Sequence, residues 1–207
     1  MRVRTQQGHA AVAQAADDGQ GPDHLRIVTL DATDAAEARI SSTDPDWSRE
    51  HKRWLEWAPS RSLLASLRRY QRCAGRSGPW HWFVARVAVL QHRFWSVVTG
   101  ADIPLTCQIG GGLLIPHPNG IVIHPQCIVG PNCLIFQQVT LGATGTGVPR
   151  IGGHVDIGAG AQVIGPVNVG DHAVIGANAV VVHNVPEGTT AVGIPARVID
   201  KRATPNA

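Results

Sequence analysis

Along the second half of the chain, aliphatic residues recur every six positions. From Ile151 the series reads Ile151, Ile157, Val163, Val169, Ile175 and Val181, without exception. Four positions after each comes a small apolar residue: Val155, Ala161, Val167, Ala173, Ala179 and Val185. Glycine follows the aliphatic residue at Gly152, Gly158, Gly170 and Gly176. A helix repeats its buried face about every 3.6 residues and a strand every two, so neither predicts a strict six. A hexapeptide β-solenoid does. The aliphatic side chain fills the inside of each flat side, the small one fits near a corner, and glycine permits the turn.

The same frame continues upstream. Ile123, Val129, Ile135 and Leu141 are six apart, with Cys127, Cys133 and Val139 in the small slot. Ile103, Ile109 and Ile115 form an earlier run, with Cys107 in that slot. Three cysteines are therefore expected inside the solenoid as corner fillers rather than as reactive thiols. The frame slips twice. Ile115 to Ile123 is eight, two residues too many, across Pro116-His117-Pro118-Asn119-Gly120. Leu141 to Ile151 is ten, four too many, across Gly142 to Arg150. A solenoid expels insertions as outward loops, and such loops are where binding and catalytic groups concentrate.

Ahead of the solenoid the period changes. After a break at Gly75 to Pro79, Trp82, Phe83, Val87, Leu90, Phe94 and Val98 recur mostly at spacings of three and four, which predicts an amphipathic helix. An earlier helix is expected through Leu63, Leu64, Leu67 and Tyr70, with Pro59 in its first turn and Ser60 as its cap. Residues 1–45 are rich in Ala, Asp, Gln and Gly, with one short apolar patch at Ile27, Val28 and Leu30, so a disordered leader is expected. The expected organisation is a leader over 1–45, a helical segment over 46–100, the solenoid over 101–199 and a flexible tail over 200–207.

Composition fits one folded domain with appendages. Of 207 residues 43% are apolar and 16% charged, and 23 Gly with 14 Pro favour turns over long helices. The formal charge is only +3, and no nucleic-acid partner is expected. That charge is unevenly spread: between Asp46 and Trp95 ten Lys and Arg face three acids, and all six Trp lie in that span. A basic, Trp-rich amphipathic helix fits either a subunit contact or a peripheral contact with an anionic membrane surface through 46–98. The four cysteines form no CxxC pair, which argues against a disulfide framework or a zinc finger, and no metal is expected. The N-terminus lacks a continuous apolar run, and the most apolar stretch, Trp80 to Val98, is broken by Arg86, Gln91, His92 and Arg93. The cytoplasm is the expected compartment.

Among the histidines, His117 has a chemical context. It sits at the first slip, and Asp102 lies fifteen residues earlier, close to one coil of eighteen, so the two can be neighbours on adjacent coils. A carboxylate bonded to one ring nitrogen fixes the tautomer and leaves the other nitrogen basic. Spacing alone is met equally well by a surface histidine. His124, His154, His172 and His183 fall at outward positions and are expected to be surface groups.

A set of short segments then appears in a familiar order. It comprises Asp102-Ile103-Pro104, the His117 to Gly120 turn, Gly120-Ile121-Val122-Ile123, Gln138-Val139-Thr140-Leu141-Gly142 and Gly193-Ile194-Pro195-Ala196-Arg197. This set resembles the hexapeptide-repeat acyltransferases, and within them the serine acetyltransferases. The resemblance covers Asp102 to Ile199, just under half of the chain. It implies a mainly β fold, a left-handed parallel β-helix behind a short α-helical segment, and a homotrimer with active sites between subunits. It also implies acetyl-CoA as the acetyl donor, His117 as the general base toward an acceptor hydroxyl, and Asp102 as the carboxylate that orients His117. Gly142, Ala143, Ala159 and Ala177 match positions whose backbone holds the cofactor, and Arg197 falls in the tail near its phosphates.

Departures from the family pattern bear on the acceptor. The Asp directly before the catalytic histidine is Pro116 here, and Gly147-Val148 replaces an Arg-His pair in a loop four residues shorter. Those groups hold the ammonium and carboxylate of serine, and each lost charge-assisted contact removes roughly 1.5–3 kcal/mol. Arg150 and Asn119 are the residues left to hold an acceptor. Similar changes occur in relatives of the colanic-acid type, which acetylate sugars in exopolysaccharide assembly and whose short helical front this chain also resembles. The acceptor is thus L-serine or a saccharide hydroxyl.

Two readings of other classes stand beside the enzyme. A metal-binding solenoid of the γ-class carbonic anhydrase kind is not matched by the seven-residue spacing of His117 and His124. A non-catalytic scaffold needs neither His117 nor Asp102. The chain ends Pro205-Asn206-Ala207 instead of in the Ile that family members insert into the sulfhydrylase of cysteine synthesis. A trimer outside the cysteine synthase complex is therefore expected.

Overall fold

The structure is a computed structural model that describes residues 40–53 and 56–199. The expected tail, and the expected leader as far as residue 39, lie outside the described residues. Within them, a short 3-10 helix, Trp47–Glu50, and two α-helices precede thirteen strands of two or three residues. The strands stack in register into three sheets, one for each side of a left-handed parallel coil.

On the first face the rungs are Asp102, Val122, Thr140, Gln162 and Val180. The second face carries Gln108, Ile128, Arg150 and Asn168. The third carries Leu114, Leu134, Asp156, Val174 and Thr190. Both slips in the six-residue frame reappear in this register. Val122 pairs with Thr140 eighteen residues on, whereas Asp102 pairs with Val122 twenty on and Thr140 with Gln162 twenty-two on. The closing coil is shorter still, sixteen residues from Val174 to Thr190. The hexapeptide frame gave no sign of that shortening, because Val185 stands four after Val181, where a small-slot residue is expected. In the structure it pairs with Val169, so two residues are lost between Val181 and Val185. An antiparallel strand, Arg197–Ile199, then folds back on Thr190–Val192 and covers the edge of the third face.

The interior is the double series read from the sequence. All twelve positions from Ile151 to Val185 are buried, as are Cys107, Cys127 and Cys133. Each fully buried Ile or Val side chain contributes about 1.5–3 kcal/mol over its exposed state, so the stack is held by its length. At two corners the backbone turns through left-handed conformations that favour Asn or Gly, and Asn132, His154 and His172 occupy one of them at φ 60, 51 and 57.

Helix α1 spans Pro59–Cys73 and helix α2 spans Pro79–Thr99. The proline at the first turn of α1 is as expected, but Ser60 does not cap it. The cap position is Ala58, with no side-chain hydrogen bond, and Ser60 lies inside the first turn. Leu63, Leu64 and Leu67 of α1 join the core cluster that contains Ile103, Ile109 and Leu113. A buried ion pair pins this junction: Arg68 donates to Glu50 at 2.8 and 3.1 Å and to the carbonyls of Ile109 and Gly110. Glu50 also accepts the Leu113 N–H at 3.1 Å. The chain is held to the solenoid earlier than position 46. Asn132 donates to the Ser41 and Asp44 carbonyls and accepts the Asp46 N–H. Gly153 leaves room for this crossing, since a Cβ there would overlap the Ser42 carbonyl.

Candidate active site

The two-residue insertion opens a corner between Leu114 on the third face and Val122 on the first. The corner is pinned on both sides. Gly120, at φ 70, donates its N–H to the Gly100 carbonyl at 2.9 Å, and the Asn119 carbonyl accepts the Gln138 N–H of the next coil at 2.9 Å. His117 projects from this fixed loop and is exposed. Asp102 is the rung beneath. Its N–H donates to the Ile121 carbonyl at 2.8 Å and its carbonyl accepts the Ile123 N–H at 3.0 Å, while its side chain faces solvent. Neighbouring coils therefore bring the two residues to one end of one face. Among the described residues no hydrogen bond joins the Asp102 carboxylate to the His117 ring. Asn119 shares the corner, with its amide packed 3.0 Å from where a Cβ on Gly100 would sit.

The same corner continues up the stack as a backbone ladder. Gly160 N–H donates to the Gln137 carbonyl at 2.9 Å, and Asn178 N–H donates to the Ala159 carbonyl at 2.8 Å. Ala159 and Ala177 thus lie along the edge that begins at His117, and their methyl groups leave its backbone accessible. Gly142 and Ala143 lie across the first face, at its other edge, where strand Thr140–Gly142 leaves for the longer loop. That loop closes on itself: Thr144 and Gly147 exchange N–H···O bonds of 2.9 and 3.2 Å. Arg150 is exposed on the second face, between Ile128 and Asn168. Arg197 is exposed on the closing strand beside the third. One chain therefore brings His117, Asp102 and Asn119 together and leaves Arg150 and Arg197 on other faces.

Two residues near this corner went unnoticed in the sequence. Gln137 Oε1 is buried and has no hydrogen-bond partner among the described residues, an acceptor waiting for an N–H donor. His92 of α2 is buried under the Asp102 strand, with Nε2 donating to the Ile103 carbonyl at 2.8 Å and Nδ1 3.1 Å from Ser66 Oγ. Burial pushes the His92 imidazole below its ordinary value, while the bond to Ile103 and the Asp102 carboxylate act the other way. In the sequence, His92 read only as a polar break in an apolar run. Its burial beside Ala88 on the inner face of α2 shows only in the structure.

The remaining titratable groups separate into inert and structural ones. Burial pushes the Cys107 and Cys133 thiols up to about 12 and raises that of Cys127, as corner fillers require. His154 and His172 are not simple surface groups. They are half-buried and stacked one coil apart, with Nδ1 atoms at 2.8 Å. Among the described residues no three His, Cys, Asp or Glu are grouped to hold a metal ion. None of the described helices is long and apolar enough to cross a membrane. A cleft of about 620 Å³ lies elsewhere, between the end of α1 and the second face, lined by Tyr70, Gln71, Leu105, Ile128 and Pro131.

Comparison with known proteins places this geometry in context. No family model matches the chain. A serine acetyltransferase of Synechococcus elongatus is 44% identical over 107 residues, which is 50% of this chain and 44% of that protein. The chain spans under half the length of the curated relatives it matches. A solved serine acetyltransferase in complex with cysteine is 32% identical, with a TM-score of 0.60, over 87% of this chain and 69% of that one. Another, in complex with CoA, is 34% identical with a TM-score of 0.59, over 69% of this chain and 58% of that one.

Proposed function

The chain belongs to the hexapeptide-repeat acyltransferase family, among relatives of serine acetyltransferase type, and we propose that it transfers acetyl from acetyl-CoA to the hydroxyl of L-serine. One observation carries this reading. The two-residue insertion in the repeat presents an exposed His117 beside Asp102 of the preceding coil, in a solenoid whose neighbours are serine acetyltransferases, a complex with CoA among them.

In the reaction His117 takes the proton of the acceptor hydroxyl as its oxygen attacks the thioester carbonyl. The C–S bond breaks, and the departing thiolate takes a proton back from the imidazolium. Asp102 holds the ring in the tautomer that leaves one nitrogen basic. The donor lies along the first face, with its amides against the backbone at Ala159 and Ala177 on one edge and at Gly142 and Ala143 of a neighbouring copy on the other. Arg197 meets its phosphates. Gln137 Oε1 accepts an N–H at the same edge, which relieves a buried polar atom that otherwise costs about 1–3 kcal/mol. Three copies form the working unit, in the cytoplasm.

A second acceptor, a saccharide hydroxyl, is favoured by one feature. The segment 116–120 carries no Lys or Arg, and the shortened loop offers none before Arg150. Arg49 and Arg61, which line a cavity with Pro116, are engaged by the Asn132 carbonyl and Glu56, so the corner suits a neutral polyol better than an amino acid. Release of CoA thiol, measured with acetyl-CoA and either L-serine or a panel of sugars, tests both. Turnover with serine supports the first reading, turnover with a sugar alone supports the second, and turnover with neither overturns acetyl transfer.

A further inference from the structure

Helix α2 has one buried side and, opposite it, an exposed apolar one. Ala88, His92 and Thr99 face the protein. Around the helix from them runs a second stripe, Phe83, Val87, Leu90, Phe94 and Val97, spaced four, three, four and three. Apart from half-buried Val87, this stripe is turned to solvent: Leu90 is 68% exposed, Phe94 57% and Val97 84%. Trp80 and Trp82, also exposed, extend it at the N-terminal end. From Trp80 to Val98 the stripe is about 27 Å long. Isolated exposed apolar residues need no explanation, but a continuous stripe of this length is an interaction surface.

Charge identifies what covers it. Between Trp57 and Ala101 the chain has seven arginines and no Asp or Glu. Arg61 and Arg68 are ion-paired with Glu56 and Glu50. Arg69, Arg72, Arg76, Arg86 and Arg93 have no carboxylate partner among the described residues. Arg86 and Arg93 are exposed along one side of the stripe, with Arg86 5.1 Å over the Trp82 ring. Arg69 of α1 is tied to Gln91 along the other side. The stripe is therefore apolar in the middle and cationic on both flanks. A second copy of this helix is a poor occupant, since pairing brings arginines together along a seam that has no acid on either helix.

We propose that this face of α2 docks on an anionic lipid surface, lying in the plane of the interface. Phe83, Leu90, Phe94 and Val97 enter the acyl boundary. Trp80 and Trp82 sit at headgroup depth, and the arginines meet lipid phosphates. The surface is independent of which acceptor hydroxyl the enzyme takes.

Sedimentation of the full chain with vesicles tests it without reference to activity. Phosphatidylcholine vesicles containing about one third phosphatidylglycerol are expected to bind at least thirtyfold more tightly than phosphatidylcholine alone, with most of the difference lost at high salt. Arg86→Gln and Arg93→Gln should each cost about fivefold on the anionic vesicles. Leu90→Ser with Phe94→Ser should abolish binding while leaving elution volume and melting temperature unchanged, because both side chains are exposed. Equal binding to both vesicle types overturns the proposal. So does absence of binding, including the case where the mass doubles with concentration and the same double variant reverses it, which assigns the face to a second copy.

Discussion

At the scale of single residues, the corner at 116–120 separates the group to which the proposed chemistry is assigned from groups that hold the fold. His117 is exposed and its loop is fixed by backbone bonds at Gly120 and Asn119. His117→Ala should therefore keep the fold and lower acetyl transfer by about 10²–10⁴-fold, the usual contribution of a general base. Asp102→Asn should lose less in the same direction, and full turnover by His117→Ala would remove the base assignment. His92 behaves in the opposite way, as a buried group whose protonation opposes folding. Below about 6.5 the unfolded chain's histidine binds a proton that the folded one resists. Stability is then complete above that value and is lost as pH falls from it toward the lowered folded value. Melting temperature followed from pH 7 to 5 should fall for the wild type and fall less for His92→Gln. Equal slopes would show that His92 is not the group responsible. Only part of this was legible beforehand. His117 and Asp102 could be read because a slip in a strict repeat marks an expelled loop. His92 could not, because a helix with apolar residues on both sides does not reveal which side is inward.

At the scale of elements, the solenoid and the helices differ in how openly the sequence states them. A period of six admits one architecture, so the core positions, both insertions and the inward cysteines followed directly. The closing coil of sixteen did not, since Val185 follows Val181 by the four residues expected of a small-slot position. It takes the rung above Val169 instead, and the corner between Val181 and Val185 is the one that loses two residues. The junction between helices and solenoid depends on pairs far apart in sequence, Glu50 with Arg68 and Leu113, and Asn132 with Ser41, Asp44 and Asp46. No periodicity reports such pairs. Their energetic weight is testable at Glu50. Its side chain and that of Arg68 are each only 9% exposed, and removing one partner strands a buried guanidinium and the Leu113 N–H. Glu50→Ala should cost about 3–5 kcal/mol and lower the melting temperature by on the order of 10 °C. A shift of a degree or two, read by circular dichroism, would mean that water reaches Arg68 and the pair is dispensable.

At the scale of the whole molecule, one chain does not complete the site assigned to it. His117 stands at the corner where the third face passes into the first. Gly142 and Ala143 lie at the far edge of the first face, and Arg150 lies on the second. A rigid coil cannot bend to bring these together, because each is fixed by parallel rungs above and below. Parallel packing of three copies can, with the corner of one copy facing the loop of the next, in a closed heterologous ring. That arrangement makes a quantitative prediction about mixed assemblies. Suppose His117→Ala and Arg150→Ala are each inactive and are coexpressed in equal amounts. An interface then works only when the copy giving the corner carries the Arg150 change and the copy giving the loop carries the His117 change. With random assortment about one interface in four meets both conditions. The mixture should regain about a quarter of wild-type activity, measured as CoA thiol release per chain, although neither variant is active alone. No recovery in assemblies shown by mass to contain both chains would mean that both groups act within one chain or that Arg150 is not in the site. The second possibility is distinguished by Arg150→Ala alone, which would then retain its turnover.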